Sequence, residues 1–432
     1  MVPRARQSDA RRGGAVKRAA GSGGSVVVDR CQVCDSPDLE PVVFVGFLPP
    51  VNTFVPIGTR PAEQPSYPAQ LLRCPRCELM QLGLIVDPAI LFPPSYAYTS
   101  GTTRILRENF AELEREATPL LGLKKDDLVV DIGSNDGTLL ANFQKAGNRV
   151  VGIEPTDIGK IADARGIPTI TAFFDAAAAE AVLAKHGRAK VITATNVFAH
   201  IEDIHSIVDA LLRLLDDDGV FISESHYWVG LMETLQYDTI YHEHLRYYSL
   251  TSLRNLLAMH DLEVFHARAI PTHGGSIRVY AARKGKREVQ PSVETYLAAE
   301  RKALTSSRLD AFRRGVVASK LKLYRLLDDV SVGGARIYGI GAPSRAATMV
   351  NYVGLDDGIV SSILEIKGSH KIGKYMPGTL IPVVDEEQLF ADQPEYALLF
   401  SWHIADELVP KLRDRGYRGR FVVPLPEPRL VQ

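Results

Sequence analysis

Fully apolar runs and stretches of helical periodicity alternate along most of the 432-residue chain, and their order predicts its structural units. From about residue 104 the segment RILRENFAELEREATPLL has helical spacing and leads into LVVDIGSNDGTLLANFQKAGNRVVGIEPT. That second stretch combines a continuous apolar strand, a glycine turn, a helix and another apolar strand. Further strands are expected at PTITAFF, at KVITATNVFAHI, and at VFISESHYW after a DDDG turn. Apolar strands alternating with helices predict a parallel sheet covered on both faces. Between 291 and 330, Leu309, Phe312, Val316, Leu323 and Leu326 recur at helical spacing and predict a linking helix pair. Beyond it, ARIYGIGAPSRAATMV repeats the order of strand, glycine turn and helix, so a second α/β unit closes the chain.

The N-terminal pattern is different. Residues 1–27 carry Arg4, Arg6, Arg11, Arg12, Lys17 and Arg18 among Gly, Ala and Ser, too little apolar content for a core, so a disordered tail is expected. No aromatic residues are interleaved there to stack on bases. All four cysteines fall into two pairs, CQVC (Cys31, Cys34) and CPRC (Cys74, Cys77). Each C-x-x-C turn directs two thiolates at one tetrahedral ion, so the two turns predict a coordinatively closed, structural zinc site with one ion per chain. About 39 residues separate the pairs; this exceeds the roughly 15 to 20 of a simple ribbon and leaves room for a small β-rich insert. The alternatives are a thioredoxin-like redox pair, which expects a βαβ context, and two buried disulfides, which a reducing compartment disfavours. The stretch to about residue 100 is rich in Pro and Tyr and predicts an ordered wrap in which Tyr96 and Tyr98 pack or line a pocket.

Charge and hydropathy narrow the classes of function. With 50 Lys and Arg against 51 Asp and Glu, the formal net charge is -1, so no field of one sign covers the molecule to hold nucleic acid or an anionic membrane. No apolar run reaches the roughly 20 residues of a membrane span, and no N-terminal hydrophobic segment suggests secretion. A cytosolic enzyme is expected.

Candidate chemistry gathers at strand ends. In DIGSNDG the first strand ends at Asp131, Gly133 and Gly137 let the chain turn tightly, Ser134 and Asn135 lie between them, and a helix N-terminus follows. Glu154 ends the next strand about 20 residues on, where an acid in a Rossmann-like unit bonds a ribose diol. The turn is neither a P-loop nor G-x-G-x-x-G, which argues against a pyrophosphate and for S-adenosylmethionine (SAM). Phe174 is expected over the adenine. Asn196, Val197, Phe198 and His200 lie beyond another strand, and TIYHEHLRYYS crowds Tyr241, His242, Glu243 and His244 beyond a third.

The paired cysteines, DIGSNDGTLL, NVFAHI, QYDTIYHEHLRYYSL, HGGSIRVY, IGKYMPGTLIPV and PLPEPR together resemble the sugar C-methyltransferase family. The resemblance runs from Cys31 to near the C-terminus. Members of that family methylate carbon 3 of nucleotide-linked keto-deoxysugars, usually dTDP-linked, during antibiotic sugar biosynthesis. The resemblance implies a zinc-binding segment over 28–87, a class I SAM-binding methyltransferase domain over 88–290, a helical linker over 291–330 and a Rossmann-like C-terminal domain over 331–432. By position and by the family's motif His244 is the expected base, with Tyr241, Glu243 and His200 stabilising an enolate, orienting rings or binding sugar. His242 is expected to face the other way, as neighbours on extended backbone do. Tyr96, Ser344, Arg345 and the loop HKIGKYMPG, with Lys371 and Lys374, are the expected contacts for the nucleotide sugar. No nucleic acid or membrane partner is expected, and the chain is expected to be a monomer or weak oligomer. Two other readings stand beside this one: an NAD-dependent nucleotide-sugar oxidoreductase using Gly339 and Gly341, in whose fingerprint Ser344 replaces the third glycine, and a noncatalytic zinc-bearing scaffold.

Overall fold

The computed structural model describes residues 18–19, 24–61, 64–92, 101 and 103–432; Tyr96, Tyr98 and most of the expected tail lie outside them. At the centre is a seven-stranded sheet. Along it the strands run Thr169–Ile170, Arg149–Ile153, Leu128–Ile132, Ala189–Thr195, Leu215–His226, Ser276–Arg283, Leu262–Ile270. All pair in parallel except Ser276–Arg283, which lies antiparallel between its two neighbours. The strand Leu128–Ile132 is buried at every position, as its unbroken apolar run requires when helices cover both faces. The expected helix is Arg104–Leu121, closed by Gly122 in the left-handed conformation. Where a turn is expected at DDDG, the strand instead begins at Leu215, and the extra residues are absorbed as a register shift opposite Ala189 and Val191.

The cysteine turns belong to a small antiparallel sheet of Glu40–Leu48, Tyr67–Arg73 and Met80–Leu82. Its fourth strand comes from far along the chain: Arg246–Tyr247, immediately after YHEHL, pairs with Met80 and Gln81. The helix pair is present as Pro291–Ala303 and Ser306–Ser331, with Leu309, Phe312, Val316 and Leu323 buried. It leads to an eight-stranded C-terminal sheet whose centre, Arg420–Val423, Tyr396–Leu399, Ile337–Ile340, Ser362–Glu365 and Pro382–Asp385, is parallel. Val55–Pro56, from between the cysteine pairs, forms the edge of this sheet against Lys374–Tyr375. Among the described residues no helix is long and apolar enough to cross a membrane.

One buried polar network fixes the helix Arg104–Leu121 to the central sheet. Arg278, wholly buried, donates from Nε to Glu224 Oε1 at 2.6 Å, and Asn109 Nδ2 donates to Glu224 Oε2 at 2.9 Å. Glu116 completes the set by pairing with Arg278. Paired and hydrogen-bonded in this way, the charges are tolerated inside.

Candidate active site

The four cysteine sulfurs converge, with every pair of ligand atoms within 4.8 Å. Sγ of Cys31 stands 3.5 Å from that of Cys77, and Cys34 stands 3.4 Å from Cys74. This is the spacing of four donors around one tetrahedral ion with metal–sulfur bonds of about 2.3 Å. The thiols cannot all ionise unaided. The hydrogen bond from Cys77 holds Cys31 down to about 5, whereas burial pushes Cys74 up to about 12. A divalent cation removes that conflict by neutralising the thiolates together. The CPRC turn runs directly into Met80–Leu82, the strand that pairs with the segment following His244.

The second pocket of chemistry lies beyond the carboxyl ends of the central strands, where ligands of such sheets bind. Gly133 has φ +69°, and a Cβ there would fall 2.4 Å from Val197 Cγ2, so only glycine fits. Glu154 is buried; it accepts from the Asn135 N–H at 3.1 Å and from Thr156 N–H and Oγ1–H at 2.9 and 2.6 Å. Asp131 accepts from Thr193 Oγ1 at 2.6 Å, and burial pushes its carboxyl up to about 7. Ser134 Oγ and Asn196 Oδ1 are buried without a hydrogen-bond partner. Orphaned polar atoms on two neighbouring loops, beside a glycine cradle and a strand-end acid, suit a polar ligand of SAM's kind. Asp136, unassigned from sequence, holds the turn by accepting from Gly101 and Thr138.

Two aromatic residues expected at the cofactor have buried side chains. Phe198 is fully buried with its ring against Phe221 and Tyr248, so its side chain serves the core. Phe174 is likewise buried with the helix Ala176–His186, while Phe173 beside it is 66% exposed. The strand ends after two residues at Ile170, so alternation cannot tell which Phe points inward.

YHEH is not extended backbone. It is a turn, closed by the His244 N–H donating to Tyr241 O at 3.0 Å, and the turn lays the Tyr241 ring on His244 at 4.2 Å and 37°. His200 approaches from the NVFAHI loop at 5.1 Å and His226 from the end of Leu215–His226 at 4.9 Å. His273, in the HGG turn, stacks 5.5 Å beyond His226. His244 Nδ1 bonds Thr239 O at 2.9 Å, and Tyr247 Oη donates to the same carbonyl at 3.0 Å. Burial first, then neighbouring histidines and Arg345, hold His244 and His226 well below the usual imidazole range. Burial takes His200 and His273 down to about 4. His242 does face away, toward Tyr67 and Pro68 O. Glu243 is buried and accepts from Asn52 Nδ2 at 2.7 Å.

His226 and His273 lie within VFISESHYW and HGGSIRVY but were assigned no role from sequence, and neither was His403 of SWHI. Arg246, also unassigned, is buried and ties the turn to NVFAHI by donating to Ile201 O and Glu202 O.

The residues expected to contact phosphate are placed differently. Arg345 is engaged within the protein: its Nε and Nη2 donate to the two oxygens of Asp238 at 2.9 and 2.8 Å, and Nη2 also reaches Gln236 Oε1 at 2.8 Å. Lys371 is turned inward, donating to Ala342 O at 2.7 Å. Ser344 begins the helix Ser344–Val353 and Lys374 lies on a short strand, both half-buried.

Comparison with known proteins matches this layout. Models of a zinc binding domain, a methyltransferase domain and a C-methyltransferase C-terminal domain match residues 31–92, 103–267 and 271–426 in turn. The C-methyltransferase NovU of Streptomyces niveus is 34% identical over 409 residues, 94% of this chain and 97% of that protein. Among solved structures, magnesium protoporphyrin IX methyltransferase of Synechocystis PCC 6803, with bound SAM, covers 44% of this chain and 87% of its own at 15% identity and a TM-score of 0.32. A SAM-dependent methyltransferase of Clostridium acetobutylicum covers 43% of this chain and 94% of its own at 12% identity and a TM-score of 0.33. With its zinc-binding, methyltransferase and C-terminal segments in that order and a relative matched over nearly its whole length, the chain belongs to the C-methyltransferase family and is a SAM-dependent methyltransferase with a zinc-binding N-terminal segment.

Proposed function

We propose that the protein methylates carbon 3 of a nucleotide-linked 4-keto-deoxysugar, the nucleotide being dTDP, through an enolate generated by His244. The observation that carries this reading is the hydrogen bond between His244 Nδ1 and Thr239 O. A main-chain carbonyl only accepts, so Nδ1 holds the ring proton and Nε2 keeps its lone pair. Burial favours the neutral ring, which leaves a base ready at neutral pH.

When bound, SAM supplies an electrophilic methyl group; the protein's residues have to create a carbon nucleophile. A ketone acidifies the C–H beside it. His244 Nε2 takes that proton, and the electron pair moves toward the ketone oxygen as the enolate forms. Tyr241, packed on the base, is the donor to that oxygen, and His200, 5.1 Å from the same ring, supports the same charge. Glu243, held by Asn52, orients the sugar. Glu154 takes the ribose hydroxyls of SAM, while Ser134 and Asn196 use their unpaired polar atoms on the rest of it. The sugar class is supported by the motif resemblance, and transfer to carbon by the relative's described chemistry. The oxidoreductase and scaffold readings have no such support.

The test is product analysis after incubation with SAM and a panel of dTDP-linked 4-keto-deoxysugars. One added methyl group on carbon 3, located by NMR, is expected. Methylation on oxygen, or no product from any keto-sugar, refutes the reading.

A further inference from the structure

We infer that the buried pair Arg345–Asp238 positions His244, so that the C-terminal unit sets the orientation of a catalytic ring through the turn that precedes it. This rests on His244 being the base. Asp238 is fully buried and Arg345 is 7% exposed. The guanidinium meets the carboxylate with two parallel bonds, Nε to Oδ2 at 2.9 Å and Nη2 to Oδ1 at 2.8 Å. Trp402 Nε1 adds a third donor to Oδ2 at 2.8 Å, and the Trp402 ring lies 5.1 Å from the guanidinium carbon. Arg345 Nη2 also reaches Gln236 Oε1 at 2.8 Å, and Nη1 meets His403 Nδ1 at 3.0 Å.

Asp238 is the middle residue of the short helix Tyr237–Thr239. Gln236 precedes that turn, so Arg345 grips it at two points. Thr239 closes it: its N–H and Oγ1–H donate back to Gln236 O at 3.2 and 2.8 Å. The carbonyl left projecting from Thr239 accepts from His244 Nδ1 and Tyr247 Oη. That carbonyl decides which nitrogen of His244 carries the proton and how the ring is tilted. Its direction is set by a turn whose side chains are held by the start of Ser344–Val353.

A buried ion pair contributes little net stability, because desolvation offsets the attraction. Its geometric effect is larger, since a bidentate fork fixes both groups in one plane. Four of the five guanidinium N–H groups have acceptors in this cluster, so phosphate binding is a poor use of Arg345. A catalytic group displaced by about 1 Å can lose about 100-fold in rate, and a loosened Thr239 carbonyl acts on that scale.

The experiment uses full-length, zinc-loaded Arg345→Lys, Asp238→Asn, Arg345→Met/Asp238→Asn and Trp402→Phe variants. Nitrogen-15 spectra of labelled histidine, recorded without substrate, report the His244 tautomer. The wild type is expected to show a single species protonated at Nδ1, and the Arg345 and Asp238 variants a mixture with the Nε2-protonated form. In turnover assays kcat should fall about 10- to 100-fold, while KM for the keto-sugar stays within about threefold. The double variant should be no worse than the poorer single one, the mark of groups acting as one unit. Trp402→Phe removes one donor and leaves the packing, so a smaller tautomer shift is expected from it even if the charge variants do not fold. An unchanged His244 spectrum in every folded variant overturns the proposal, as does a rise in KM with kcat intact, which would mark Arg345 as a phosphate contact. Absence of turnover by the wild type would instead count against the functional reading, because the tautomer is read without any substrate.

Discussion

Replacing His244 by Asn tests the proposed chemistry most directly. The Asn amide keeps a donor close to the position of Nδ1, so the bond to Thr239 O, 2.9 Å in the native chain, has a substitute and the turn keeps its anchor. What disappears is the basic nitrogen on the far side of the ring. A positioned general base contributes about 100- to 10,000-fold, equivalent to about 2.7 to 5.4 kcal/mol of barrier. Turnover of a keto-sugar should drop by that factor while the SAM dissociation constant changes by less than about twofold. Two assays separate base from bystander. In deuterated water, with S-adenosylhomocysteine in place of SAM, the wild type should exchange the carbon 3 proton and His244→Asn should not. The wild-type kcat should also stay level from pH 8 down through 6.5, because burial, with the neighbouring His200, His273 and Arg345, holds His244 well below its ordinary value. Exchange and turnover within about threefold of wild type in His244→Asn would refute the assignment and leave His200 as the next base to test.

Three further outcomes are expected. Glu154→Ala removes an acceptor of bonds worth roughly 1.5 to 3 kcal/mol, so SAM affinity should fall about tenfold or more by calorimetry; an unchanged constant moves the donor site elsewhere. Elemental analysis should find one zinc per chain. Its removal, or Cys74→Ser, should abolish turnover through loss of the Met80–Leu82 pairing with Arg246–Tyr247, and full activity in metal-free protein would sink that link. Stability should peak near neutral pH in urea titrations. His200, His242 and His273 are each depressed to about 4 by burial, so below about pH 6.5 the unfolded chain binds protons the folded one refuses, at a cost of about 1.4 kcal/mol per unit for each. Asp131, raised from 3.8 to about 7, acts in the opposite sense: its contribution is lost as pH rises from about 4 to 7, so in that window it offsets one of the three histidines. A midpoint unchanged between pH 7 and 5 would contradict the burial of these rings.

Local information was enough wherever neighbours in sequence are neighbours in space. The CQVC and CPRC turns each place two sulfurs by their own short loop, and the glycine turn of DIGSNDG needs only Gly133 and the strand before it. Apolar runs such as LVVDI determined the central strands because full burial on both faces leaves no other pattern stable. YHEH itself was picked out by composition, and His244 by the family's motif.

Tertiary structure decided everything that depends on which distant loops meet. The YHEH turn is held from one side by a strand pairing with the zinc segment at Met80 and Gln81, and from the other by Arg345, 107 residues beyond Asp238 in the chain. His226, His273 and His403 reach the same cluster from three separate strand ends or turns. Whether Phe173 or Phe174 points inward, and whether Arg345 meets phosphate or carboxylate, turned on partners that no local period encodes. The physical reason is the range of the forces: propensity, periodicity and chelating turns act over a few residues, whereas burial, hydrogen-bond partners and imidazole tautomers are properties of the assembled interior.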